Sequence, residues 1–234
     1  RLPFRRMELQ TRVQIYTMQS AAEAAAVAAL GVDHVGVTPS QRGLPGEVDE
    51  AKAADICAVL RGHATSVALS VETDAETVKR MVAIVQPDIL HLCGPPGELG
   101  PAAVADLRRA LPGVGMMQAI AVTGPEAIAT AQSYEDVADF LILDSVTPDV
   151  PGVGAAGTVH DWAVSAAIVS AVDVPVVLAG GLSPDNVADA IEAVHPWGVD
   201  SLTCTNRPLP SGGFRKDLDL VKRFCRSAHG EGVS

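Results

Sequence analysis

Short apolar runs recur along the chain at regular intervals, and most are followed by an alanine-rich stretch with helical spacing. The spacing predicts strands over 13–16, 34–37, 66–71, 89–93, 116–122, 140–144, 174–179 and 199–203. It predicts helices over 21–30, 50–61, 75–85, 102–110, 125–132, 161–172, 186–194 and 217–228. The strand runs are apolar on both faces, as expected of parallel strands covered by helices. Strict strand–helix alternation implies right-handed crossovers between parallel neighbours. Eight units within 234 residues favour a single closed (β/α)8 TIM barrel over an open doubly wound sheet. The barrel domain is expected over 12–230, with residues 1–11 as an N-terminal extension or cloning remnant. The longest irregular stretch is 145–160, rich in proline and glycine, and its place after the sixth strand marks it as a functional loop.

Composition narrows the function classes. Apolar residues make up 48% of the chain and aromatics only 3%, so the core is expected to be aliphatic. The formal net charge of −11 argues against nucleic acid or an anionic membrane as partner. No apolar run is long enough to span a bilayer, and the opening residues do not read as a signal peptide. The cysteines Cys57, Cys93, Cys204 and Cys225 form no C-x-x-C pair. They read as reduced thiols of a cytoplasmic protein, with Cys57 and Cys225 in the core. Trp162 and Trp197 are expected to pack behind the barrel.

In such a barrel, chemistry gathers where strands end. Tyr16, Thr17, Arg42, His91, Cys93, Gln118, Asp144, Gly180, Gly181, Thr203, Cys204 and Asn206 lie at or near those ends. Asp144 precedes the long loop and suits a general acid. The run Val177-Leu178-Ala179-Gly180-Gly181-Leu182-Ser183-Pro184-Asp185 reads as a strand, a bare double glycine and a helix start. Ser183 is expected as N-cap and Pro184 at the first position. Exposed backbone amides at a helix N-terminus favour a phosphate, with Gly157 of the preceding loop closing over it. His91 and Cys93 share one strand face. A metal there would need a third ligand, of which Cys204 is the obvious one, and no metal or cofactor is expected.

These residues, in this order, resemble the phosphoribosylanthranilate isomerase family from about Val13 to Phe224. The resemblance rests mainly on Phe140-Leu141-Ile142-Leu143-Asp144-Ser145 and Ala179-Gly180-Gly181-Leu182-Ser183-Pro184-Asp185-Asn186-Val187. A glycine-rich loop ending Gly157-Thr158-Val159-His160-Asp161-Trp162 joins them. Ser40-Gln41-Arg42 resembles the family's Ser–x–Arg, whose arginine faces the substrate carboxylate. The family pattern departs elsewhere. Tyr16 stands where the family's general-base cysteine should be, Cys93 replaces a fourth-strand histidine, and Gln118 replaces a fifth-strand lysine. Thr203-Cys204-Thr205-Asn206 takes the place of Ser–Gly–Val–Glu.

The resemblance implies a cytoplasmic enzyme of tryptophan biosynthesis, monomer or homodimer, acting on a phosphorylated small molecule. Its reaction is an Amadori isomerisation of an aminoaldose phosphate. Asp144 would be the acid, with Tyr16 or Cys93 in the base's surroundings and His91, Arg42, Thr203 and Cys204 on the substrate. A tyrosine of ordinary pKa about 10 is a poor base, and losing a base costs roughly 10²–10⁴-fold. Weak turnover is therefore expected unless another group substitutes. The alternatives are a lyase or epimerase on a related phosphorylated substrate, or a non-catalytic phosphate-ligand binder.

Overall fold

Eight parallel strands close into a barrel in the computed structural model, which describes residues 10–145, 153 and 160–231. The order is β1 (Arg12–Ile15), α1 (Ala21–Ala28), β2 (His34–Val37), α2 (Glu50–Leu60), β3 (Thr65–Ser70) and α3 (Ala75–Val85). Then come β4 (Ile89–Leu92), α4 (Pro101–Ala110), β5 (Gly115–Ala121), α5 (Glu126–Tyr134), β6 (Phe140–Asp144) and α6 (Trp162–Ala171). β7 (Val176–Leu178), α7 (Val187–Val194) and β8 (Gly198–Ser201) complete the ring. A short hairpin, β9 (Asn206–Pro208) and β10 (Phe214–Lys216), precedes α8 (Leu218–Ala228). Closure comes from β1, which pairs Gln14 with His34 of β2 and with Asp200 of β8.

The period of two along each strand sorts side chains into two cores. Val13, Ile15, Leu90, Leu92, Leu141, Leu143 and Val199 point outward into the layer shared with the helices. Tyr16, Ile89, Cys93, Met117, Ile142 and Leu202 point into the barrel. The helices start where short polar side chains cap them. Asp49 accepts from the Lys52 amide at 2.7 Å, Asp74 from Thr77 at 2.8 Å and Asp161 from Ala163 at 2.8 Å.

Two expectations are corrected. α7 starts at Val187, so Ser183 is not its N-cap. Asn186 accepts from the Ser183 amide at 2.8 Å and donates to the Gly181 carbonyl at 3.1 Å. That side chain holds residues 183–186 as a separate turn and delays the helix. Trp197 lies not behind the barrel but on its floor. Its ring centroid is 5.6 Å from that of His34 and 5.3 Å from that of Phe140. These are the first residues of β2 and β6, and Trp197 immediately precedes β8. Trp162, as expected, packs against the outer core. The hairpin β9–β10 has no counterpart among the sequence expectations. Among the described residues, no helix is long and apolar enough to cross a membrane.

Candidate active site

The C-terminal ends of the strands enclose two adjoining cavities. The larger, about 560 Å³, is an apolar cleft walled by Leu44, Leu69, Val71, Ile142, Val153 and Leu202. Its polar wall is Tyr16, Thr38, His91, Asp144 and Asp200. The smaller, about 290 Å³, is lined by Gly180, Gly181, Ser201, Thr203 and Cys204. Asp144, Asp200 and Leu202 border both. A ligand with one apolar and one anionic end therefore has its middle over the two carboxyl groups.

Each polar group reaches the cavity by strand parity. β6 turns Phe140, Ile142 and Asp144 inward, and β8 turns Asp200 and Leu202 inward. Burial, only partly offset by a hydrogen bond from the Ser145 amide at 2.7 Å, pushes the Asp144 carboxyl up to about 7. Burial first, and the neighbouring Asp144 second, push Asp200 up to about 8. Carboxyl groups of this kind exchange protons near neutral pH. Among the described residues, the buried Asp200 Oδ1 atom has no hydrogen-bond partner.

Tyr16 lies with its ring against Gly36 of β2. A Cβ built on that glycine would sit 2.2 Å from Tyr16 Cδ1, so the strand needs glycine beneath the ring. The Tyr16 hydroxyl is 3.0 Å from His91 Nδ1. Burial, then Asp200, raises the phenol well above its ordinary pKa. It therefore stays protonated and cannot act as a base at neutral pH. Burial lowers His91 to about 3, keeping the ring neutral, and among the described residues its Nε2 has no partner. Cys93 lines the cleft, but burial, with Asp144 second, raises its thiol pKa strongly. Its carbonyl accepts from the Val153 amide at 3.0 Å, which fixes one point of the loop after β6 over β4.

Gly180 and Gly181 both have left-handed backbone, at φ 85° and 64°. A Cβ on Gly180 would come within 2.9 Å of His160 Nδ1 and 3.2 Å of Asp144 Oδ1. Glycine is thus required both by conformation and by the close approach of the acid. Among the described residues, neither glycine amide has a hydrogen-bond acceptor. Gly157 lies outside the described residues.

Not every sequence candidate joins this cluster. Arg42 is absent from the cleft lining and forms a two-pronged ion pair with Glu72, at 2.7 and 2.6 Å. Gln118 sits on the outward parity of β5 and donates to the Ala119 carbonyl at 2.9 Å. Thr17 accepts from the Thr38 hydroxyl at 3.0 Å. His91 and Cys93 border one cavity and Cys204 the other, and among the described residues no metal-binding group of His, Cys, Asp and Glu forms.

Two residues at the site went unread in the sequence. Asp200 is a lone acidic residue within an apolar strand, and its inward parity was a usable signal. Lys216, buried on β10, donates to the Leu202 carbonyl at 2.9 Å, Thr205 Oγ1 at 3.2 Å and Asn206 Oδ1 at 2.6 Å. It ties the segment after β8 into place. Burial lowers it to about 7 despite the opposing pull of Asp200. Nothing local in its sequence marked it.

Known proteins match this chain along most of its length. The family profile described as N-(5'phosphoribosyl)anthranilate (PRA) isomerase matches residues 13–225. N-(5'-phosphoribosyl)anthranilate isomerase from Haloarcula marismortui is 34% identical over 219 residues, covering 93% of this chain and 96% of the relative. That from Methanocella arvoryzae is 35% identical over 214 residues, covering 92% and 96%. Among solved structures, the phosphoribosyl anthranilate isomerase of Thermotoga maritima superposes with a TM-score of 0.75 at 25% identity, covering 94% and 99%. Another isomerase structure, in complex with reduced 1-(o-carboxyphenylamino)-1-deoxyribulose 5-phosphate, has a TM-score of 0.75 at 22% identity, covering 94% and 99%. A barrel with a carboxyl group at the end of β6 and paired glycines after β7, matched by profile and by relatives along nearly its whole length, places this chain in the phosphoribosylanthranilate isomerase family.

Proposed function

We propose that the protein isomerises phosphoribosylanthranilate, an aminoaldose phosphate, to the corresponding aminoketose phosphate in tryptophan biosynthesis. The observation that carries this is the position of Asp144, a carboxyl of pKa about 7 on the wall shared by the apolar cleft and the glycine cavity. The aromatic ring of the substrate occupies the cleft. Its phosphate takes the free amides of Gly180 and Gly181, with Thr203 and Cys204 beside it. With the protein at −11 overall, that anion site works through local amides rather than a global field.

In this reading Asp144 gives its proton to the furanose ring oxygen. The C1–O bond breaks as the nitrogen lone pair forms C1=N. The C2 proton is then lost, its bond pair forms C1=C2, and the C=N pair returns to nitrogen. The enolamine takes a proton at C1 and gives up its C2 hydroxyl proton, leaving the ketone. His91 Nε2, free of partners, adds a polar contact to the sugar, and Tyr16 holds that ring by Nδ1. Arg42 supplies a carboxylate-binding fork by exchanging Glu72 for the anthranilate carboxylate. Turnover is expected in the cytoplasm, by a monomer or homodimer.

The test is a direct assay of phosphoribosylanthranilate consumption, beside rescue of an auxotroph lacking this tryptophan-pathway step. Turnover abolished by Asp144→Asn supports the reading. No turnover with tight phosphate-ester binding would instead favour a binding protein.

A further inference from the structure

The family's base position is filled by a phenol, and the other side chains of the first and fourth strands do not replace it. The Tyr16 hydroxyl is engaged with His91, and Cys93 is packed among Val71, Met117, Ala119 and Val153. A second carboxyl group stands at the same mouth. Asp200 reaches it from β8, with β7 alone between β8 and the β6 strand that carries Asp144. Asp200 borders both cavities, is 7% exposed, and has no partner for Oδ1 among the described residues. A buried carboxyl oxygen left unpaired costs about 1–3 kcal/mol or more. A fold retains such a cost most often where the group has work to do.

We propose that Asp200 is the base of this enzyme, taking the C2 proton in place of the missing thiol. The inference rests on the isomerase reading above. The carboxylate oxygen of Asp200 forms the new O–H bond as the C2–H bond breaks, and the C–H pair becomes the C1=C2 bond. Asp200 returns that proton to C1, and the C2 hydroxyl proton restores the one Asp144 gave to the ring oxygen, so the isomerisation balances with no further reactant. Asp144 and Asp200 thus act as an acid and a base on neighbouring inward positions rather than as a thiol and a carboxyl facing each other across the barrel. Burial assists the role. The ionised fraction of a carboxyl raised to about 8, minor at neutral pH and growing as pH rises, accepts a carbon-bound proton better than a carboxylate at its ordinary value.

The groups facing Asp200 set its titration. The Gln14 amide of β1 and the Lys216 charge of β10 lower its pKa, and Asp144 of β6 raises it. Tyr16 of β1 is protonated and neutral beside it. The two carboxyls are coupled, so the limbs of a pH profile belong to the pair. A bell-shaped kcat/KM with limbs about 7 and 8 is expected. Because the base at about 8 lies above the acid at about 7, the active form, ionised Asp200 beside protonated Asp144, is the minor one between those limbs.

The experiment compares the full chain with Asp200→Asn and Asp200→Glu. Turnover uses phosphoribosylanthranilate with hydrogen or deuterium at C2, and affinity uses reduced 1-(o-carboxyphenylamino)-1-deoxyribulose 5-phosphate. Asp200→Asn is expected to lose roughly 10²–10⁴-fold in kcat. Affinity for the analogue should stay within about threefold, and the residual reaction should show a full primary isotope effect. Asp200→Glu should retain more turnover than Asp200→Asn. A merely structural role would lower kcat without raising the isotope effect, and that result overturns the proposal. Asp200→Asn turnover within about threefold of wild type overturns it while leaving the isomerase reading intact. Absence of wild-type turnover overturns both. Should Asp200→Asn fail to fold, the wild-type profile decides, and a base limb above about 9, the range of a thiol or phenol, overturns the proposal.

Discussion

The floor and the mouth of the barrel are built from the same eight strands, yet they treat buried polar groups in opposite ways. On the floor, His34 meets Gln14 Oε1 at 3.1 Å through Nδ1 and packs edge-to-face with Phe140 and tilted against Trp197. Burial lowers His34 to about 4, so it is a neutral ring packed as an aromatic. At the mouth, His91 Nε2 and Asp200 Oδ1 have no partner among the described residues, and two carboxyls are held near neutral pKa. Strand geometry alone therefore does not dictate satisfaction. The floor is optimised for the folded state, whereas the mouth keeps hydrogen-bonding capacity open for a ligand.

The largest expected effect is a pH-dependent difference between the two regions. His34 has a folded pKa of about 4 against an ordinary 6.5, so the unfolded chain binds the proton first as pH falls. Its contribution is complete above pH 6.5 and is lost as pH drops towards 4. Asp200 runs the other way. Its folded pKa of about 8 exceeds the ordinary 3.8, so its contribution is complete below 3.8 and is lost as pH rises through 8. Each slope is up to about 1.4 kcal/mol per pH unit. Between pH 4.5 and 6 the two slopes oppose each other, so urea unfolding should show His34→Gln making stability fall with pH in that range. Asp200→Asn should remove part of the fall that continues to pH 8, Asp144 supplying the rest. Identical slopes in both variants would erase the contrast.

Next in size, Asp144→Asn keeps the shape and removes the transferable proton. Turnover should fall by roughly 10²-fold or more, with little change in stability. Steady-state kinetics beside a melting curve separates those effects. Gly180→Ala tests the close approach between acid and phosphate site. Left-handed backbone costs a non-glycine residue about 1–2 kcal/mol, and the new Cβ meets His160 and Asp144. Lower Tm and weaker phosphate-ester binding should appear together. The smallest effect concerns Arg42, whose exposed pair with Glu72 contributes at most about 1 kcal/mol. Glu72→Gln should lower KM a few-fold by freeing the fork, and an unchanged KM would place Arg42 outside the site.

The barrel was legible because its strands are apolar on both faces and its helices carry local caps. β2, β6 and α3 end where the pattern says, since Asp74 and the strand ends are short-range signals. The Asp144 and Gly180-Gly181 positions were legible for the same reason: each closes a strand. Asp200 was missed because its meaning depends on the β1–β8 register, which joins residues nearly two hundred positions apart. Lys216 was missed because its three acceptors lie on the segment after β8 and become neighbours only when the hairpin forms. Arg42 was read from a local motif, whereas its partner Glu72 comes from beyond the next strand. Ser183 looked like a cap because the competing side chain, Asn186, acts through two backbone contacts that no local pattern displays.

The tyrosine ring lying on Gly36 makes two positions on neighbouring strands a single unit of volume. Tyr16 admits nothing larger than glycine at 36, and a small residue at 16 would leave Gly36 facing a void. Restoring the family cysteine by Tyr16→Cys therefore removes a packed ring as well as adding a thiol. The substitution and a compensating enlargement at position 36 should be strongly non-additive in a double-mutant cycle. A chain that has filled a family's catalytic position with a large ring thus meets a cavity on the way back, left by a neighbour that never touches the substrate.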